Sequence, residues 1–423
     1  MVFIDFKIIY RYFQSPRIFS FILLLSIIGP GVITGSVDND PAGITTYSLA
    51  GSQYGYTLLW TLLPLTIALA VMQEMGIRMG TVTGKGLGAL LREHVDIRVV
   101  FVLMAAYIVS NFGVVMAEFS GVAVSCGMFG IPKLIGIPLA ALAVWLLVIK
   151  SSYRRVEKVF LFTSFLYISY ILAALLSHPN WSTAVTNSVI PQNFSLTPVY
   201  MIILVGVIGT TIAPWQLFYI QSTSAEKHIS LKNLAYGKFD AIFGAFLTNF
   251  VAWFIVMACA ATIFAAGVTV TDVPTISQAL VPLAGKYASL LFAFGFLNAS
   301  LFALCILPLS TVFPICESFG VEAGIHFNFK EAPVFHSLYL GILMIGASII
   351  LIVPMNMLLG ILFYSQVIIG VTLPVFVFYM LRITNNRKIM GEYVNSRLFN
   401  WIAGLTVVGA AAISILTALT NFF

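Results

Sequence analysis

Charge is what this sequence has least of. Only 9% of its 423 residues are Asp, Glu, Lys or Arg, against about 25% in a soluble domain. With 60% hydrophobic residues and a mean hydropathy of +1.02, the shortage excludes an ordinary globular enzyme and describes a polytopic membrane protein. Cysteine is scarce as well. Cys126, Cys259, Cys305 and Cys316 all fall in apolar stretches without a CxxC or other metal spacing, so they read as packing residues. Histidine is no richer, and His94, His178, His228, His326 and His336 lie in or beside loops. No nucleophile–base pair or metal–histidine cluster of an intramembrane enzyme is visible. Gly84 and Gly86 lack the spacing and the preceding strand of a phosphate loop.

Long apolar runs are what remains. A spanning helix takes about 20 apolar residues, and eleven stretches qualify: 19–51 (interrupted), 57–79, 99–128, 134–149, 159–176, 198–221 (interrupted), 241–265, 287–313, 333–353, 357–381 and 398–419. The net charge of +6 is not a nucleic-acid signature, because the basic residues sit in alternate loops. All Lys and Arg except Lys133 and Lys286 fall on one side. The positive-inside rule makes that side cytoplasmic, with the N-terminus inside and the C-terminus outside a cell membrane. Lys7, Arg11 and Arg17 lead straight into the first stretch with no cleavable signal.

Stretch 28–56 is the one the chain is organised around. Asp38-Asn39-Asp40-Pro41-Ala42-Gly43 stands in the middle of apolar sequence. A charge at membrane depth costs about 2.5–3.5 kcal/mol on insertion scales and marks a pathway or a partner. Pro41 removes a backbone donor and Gly43 admits unusual dihedrals, so the helix is expected to unwind here. Broken helices survive at that depth where they line a cavity. A second break, Gly209-Thr210-Thr211-Ile212-Ala213-Pro214-Trp215-Gln216, opens the sixth stretch. Breaks at spans one and six divide a single transporter domain, 1–423, into two five-span halves of opposite orientation, 18–177 and 198–382, with 398–419 as an extra helix.

The same residues resemble a known family, the NRAMP divalent-metal transporters. Asp40-Pro41-Ala42-Gly43 and Ala50-Gly51-Ser52-Gln53-Tyr54-Gly55-Tyr56 meet its first-helix signature. Thr83-Gly84-Lys85, Arg154-Arg155-Val156-Glu157-Lys158, Ser365-Gln366-Val367, Leu373-Pro374 and the 385–391 segment are also similar. The resemblance implies an all-α LeuT-type five-plus-five inverted repeat with an eleventh transmembrane helix. It also implies departures. The family's metal-binding asparagine is matched by Gly43, its Met-Pro-His by Ala213-Pro214-Trp215, a further histidine by Gln221, and an acidic residue of span three by Val115, whereas Glu118 is kept. This pattern looks like the NRAMP-related magnesium transporter branch.

Chemistry agrees with that branch. A thioether favours transition metals, and Ala213 removes it. Mg2+ dehydrates reluctantly and suits one or two carboxylates with retained waters. The expected site is therefore a hydrated Mg2+ on Asp40, with Asp38 or Asn39 and the freed carbonyl of Ala213, and with Thr210 and Gln366 binding its waters. Asp40 has a competing use as the cap of the next half-helix, and Gln366 as an interhelical hydrogen-bonding group. The divalent cation is cargo, and no cofactor is expected. The bilayer is the other partner; nothing calls for nucleic acid or an obligate protein partner. The alternatives are a proton-coupled Mn2+ or Fe2+ importer and, from another class, a symporter of amino acids or other organic solutes.

Overall fold

The structure is a computed structural model describing residues 30–150, 164–226, 231–324, 327 and 329–422. The start of the first stretch with Lys7, Arg11 and Arg17, the Arg154, Arg155 and Lys158 loop, Lys227, His228 and His326 lie outside the described residues. Within the described residues the chain is helical, without strands. In order the helices are α1 (Pro30–Asp38), α2 (Pro41–Tyr54), α3 (Leu62–Thr83), α4 (Leu87–His94), α5 (Ile97–Met128), α6 (Lys133–Lys150), α7 (Ile168–Leu176) and α8 (Trp181–Val189). Then come α9 (Pro198–Thr211), α10 (Pro214–Glu226), α11 (Leu234–Cys259), α12 (Ala288–Phe319), α13 (Pro333–Ile352), α14 (Leu358–Thr384) and α15 (Arg397–Phe422).

Eight helical segments among the described residues are long and apolar enough to cross a membrane. Of the fourth and fifth expected spans the described residues include the apolar helices Lys133–Val148 and Phe165–Leu176, and the first is the broken pair α1 and α2. The interrupted helices lie at the centre. α1 and α2 pack on α11, α9 packs on α14, and α5 runs along α12 and α14. α15 lies outside this core against α9 and α14, with Trp401, Leu405 and Val408 turned outward. Such a face suits lipid rather than water.

Small residues let the central helices touch backbone to backbone. A Cβ on Gly35 would lie 2.6 Å from the Gly244 carbonyl oxygen, and one on Gly244 would lie 2.2 Å from that of Gly31. This glycine seam joins α1 to α11, as small residues do wherever membrane helices approach closely. Asp240 of α11 completes the joint. Its Oδ2 accepts the Gly31 N–H at 2.6 Å and its Oδ1 the Val32 N–H at 3.3 Å. These are amides that the first turn of a helix leaves without an internal partner.

One buried ion pair ties the expected cytoplasmic ends together. Arg78 donates to Glu74 at 3.0 Å, its i+4 neighbour, and reaches Asn395 Oδ1 at 2.7 Å and the Tyr393 carbonyl beyond α14. Lys238 of α11 lies 2.9 Å from Glu74. Removing one member of a buried pair strands the other's charge, at a cost of about 3–5 kcal/mol. Because Lys238 remains beside Glu74, Arg78→Ala is expected at the lower end of that range, read as a lowered thermal midpoint in detergent.

Candidate functional site

The first break consists of Asn39 and Asp40. Asp40 is extended (φ −69°, ψ 173°) and is the N-cap of α2, its Oδ1 accepting the Gly43 N–H at 2.6 Å, with Pro41 in the first turn. The capping use weighed from sequence is therefore real, and it occupies one edge of the carboxylate. Glu118 of α5, a helix packed on α2, is buried with both carboxyl oxygens lacking a hydrogen-bond partner. Gly121, on the same face of α5, lets Pro41 pack onto that helix: a Cβ there would sit 2.7 Å from Pro41 Cγ.

The second break consists of Ile212 and Ala213, between α9 and α10. Here one expectation is corrected. The Ala213 carbonyl is not free, because it accepts the Gln216 N–H at 3.1 Å. Ala213 is the residue from which the new half-helix starts, and a residue in that place gives its C=O to the first intrahelical bond. Gln216 reaches back, its Oε1 3.5 Å from the Ala213 N–H, a long version of the reciprocal capping arrangement. Its amide then spans both breaks and donates to Asp38 Oδ1.

Other predicted residues are placed unevenly. Asp38 Oδ2 and Asn39 Oδ1 are buried without a hydrogen-bond partner, while the Asn39 amide donates to the Thr248 carbonyl at 3.4 Å. Thr210 Oγ1 faces the first break, 3.0 Å from where a Gly43 Cβ would stand. That same Cβ would lie 2.6 Å from the Asp38 carbonyl oxygen, so the break as folded has no room for an asparagine at position 43. The Gln366 amide donates to Ser365 Oγ of its own helix, α14, at 3.4 Å. Two tyrosines that the sequence reading passed over frame the site. Tyr47 donates to Thr211 Oγ1 at 2.9 Å, that hydroxyl being committed to the Val207 carbonyl, and Tyr167 lies 3.4 Å from the Ser36 carbonyl.

Asp38, Asn39, Asp40, Glu118 and Gln216 are each 0–4% exposed, so the breaks are buried within the helix bundle. Among the described residues no three His, Cys, Asp or Glu converge as a ready metal cage. The uncommitted acceptors are hard oxygens, and Ala213 offers no soft atom. Such a set can hold a cation that keeps part of its own water.

The family model described as "Natural resistance-associated macrophage protein-like" matches residues 31–420. The chain belongs to the Nramp family. Similar to this Nramp protein are two proteins named divalent metal cation transporter MntH. That of Granulibacter bethesdensis is 24% identical, covering 89% of this chain and 84% of the relative. That of Deinococcus radiodurans is 28% identical, covering 94% and 89%. Among solved structures, a manganese transporter of Eremococcus coleocola superposes with a TM-score of 0.77 at 18% identity, over 93% of this chain and 86% of that one. MhsT in complex with L-phenylalanine gives 0.60 at 11% identity, over 92% and 98%. These likenesses establish the LeuT-type fold of the Nramp chain.

Proposed function

We propose that this Nramp protein carries divalent metal cations down their electrochemical gradient, favours Mg2+, binds the ion partly hydrated at the two breaks, and moves no proton with it. Cation transport as a class rests on family membership and on the relatives named for it. The preference rests on one observation: the atoms left uncommitted at the breaks are oxygens, with Ala213 where the resemblance places a thioether. Asp40, Asp38 and Asn39 supply the acceptors. Thr210 holds a water of the ion, and Gln366 another once its amide leaves Ser365. With the N-terminus cytoplasmic, an inside-negative potential drives a divalent ion inward with about 4.6 kcal/mol per 100 mV, twice the single-charge value, so no coupling ion is needed.

A second reading has its own observation. Glu118, buried with both carboxyl oxygens unpartnered, is a place for an exchangeable proton, and it favours a proton-coupled Mn2+ or Fe2+ importer. An organic-solute symporter fares worse, because Asp38, Asp40 and Glu118 would repel a substrate carboxylate.

Uptake by purified protein in liposomes decides, with Mg2+ and Mn2+ compared under Ca2+ competition and internal pH recorded in the same vesicles. Mg2+ entry without acidification is the expected result; Mn2+ entry alone, with protons following, overturns it. In the same assay Ala213→Met is expected to raise Mn2+ uptake relative to Mg2+ about tenfold, equivalent to about 1.4 kcal/mol.

A further inference from the structure

A carrier that moves an ion without a coupling ion has to cross back empty, and the empty site here holds buried carboxyls. Asp38 is the one held from the opposite break. It ends α1 with 3% of its surface exposed. Asp40 has its cap bond, both oxygens of Glu118 lack a hydrogen-bond partner, and so does one oxygen of Asp38. The other oxygen has one donor, the Gln216 amide, which comes from the opposite break. Gln216 is itself fully buried, and its carbonyl end is held toward the Ala213 N–H at 3.5 Å. This side chain therefore bridges the two discontinuous helices at the point where a cation would sit.

We propose that Gln216 is a tethered substitute for the cargo: it satisfies Asp38 in the unloaded carrier and gives way when a cation or its bound water takes that oxygen. A buried charged acceptor left without a donor is strongly disfavoured, so without Gln216 the empty carrier is held back from its sealed form. The loaded carrier meets no such cost, because the ion supplies the positive partner. Gln216 also competes with the ion for Asp38, which raises the KM for the ion. It acts through Asp38 and is a positioning residue. The proposal rests on the uncoupled-transport reading above, since a co-transported cation could itself neutralise the return step.

The test separates the two half-cycles. Isotopically labelled Mg2+ is followed into vesicles that contain no Mg2+, which requires empty return, and into vesicles preloaded with unlabelled Mg2+, which does not. Gln216→Met keeps the length and apolar volume but removes the donor; Gln216→Ala removes both and controls for packing. In both variants net uptake is expected to fall about tenfold, the exchange rate to stay within about twofold, and the KM for Mg2+ to decrease. A parallel fall in net uptake and exchange assigns Gln216 a purely structural role and overturns the proposal, as do unchanged rates in both. Failure of the functional reading looks different: wild-type protein would then show no Mg2+ exchange, or its flux would acidify the vesicles.

Discussion

Asp40→Asn is expected to abolish Mg2+ uptake in liposomes while leaving the protein folded. The argument turns on the two tasks of this side chain. As N-cap it accepts the Gly43 N–H at 2.6 Å, and asparagine caps a helix about as well as aspartate. As a site residue it supplies negative charge, which asparagine cannot. The variant thus separates capping from charge. Its thermal midpoint should stay near wild type, and uptake should fall at least about tenfold, corresponding to about 1.4 kcal/mol or more of lost stabilisation. Asp40→Ala loses both tasks and should add a cap penalty of about 1 kcal/mol. If Asp40→Asn transports Mg2+ at the wild-type rate, the carboxylate is only a cap and the site lies elsewhere.

Gly209→Ala is expected to cost the most stability of the glycine-to-alanine changes among the described residues. The added Cβ would stand 2.0 Å from the Gln366 carbonyl oxygen and 2.5 Å from the Gly370 nitrogen. Both are backbone atoms of α14 and cannot rotate aside. Gly370 repeats the constraint from the other side, with its own Cβ position 2.4 Å from the Val205 carbonyl oxygen. Overpacking of this kind costs about 3 kcal/mol when the backbone has to separate. A clearly lowered thermal midpoint, or loss of monodisperse protein in detergent, is the expected result. A wild-type melting curve would mean that α9 and α14 part without strain.

Both breaks could be read from the amino-acid order, because aspartate, proline and glycine have no cheap place inside an apolar run. The two-half reading followed from where those breaks fall, and the LeuT-type fold, which the solved relatives share, followed from the family resemblance. The second layer of the site was less accessible. Glu118 lies within α5, whose 32 residues carry no local mark showing which turn meets the first break; only Gly121, on the same face, hints at a close approach. Gln216 reads as an ordinary polar residue in the first turn after a proline. Its bond to Asp38 depends on how two distant half-helices face each other, which no spacing rule encodes. Ala213 was expected to offer a freed carbonyl at the second break. The break spares Ala213 because the new helix begins there, and the unpaired carbonyls of a helix end belong to its last turn, here that of α9. Gln366 was rightly placed in a polar notch, but rotamer choice turns it to Ser365.

The seam of Gly31, Gly35 and Gly244, closed by Asp240 across the first amides of α1, has a mechanical consequence. Helices in contact through their backbones, and pinned at one end by a carboxylate, cannot slide or roll past each other without breaking both attachments. The first half-helix of the first span and its neighbour are therefore one lever with a single fulcrum, the two non-helical residues Asn39 and Asp40. Any swing that opens this end of the protein bends the chain at the residues proposed to hold the cargo, which makes the gate and the proposed grip the same joint.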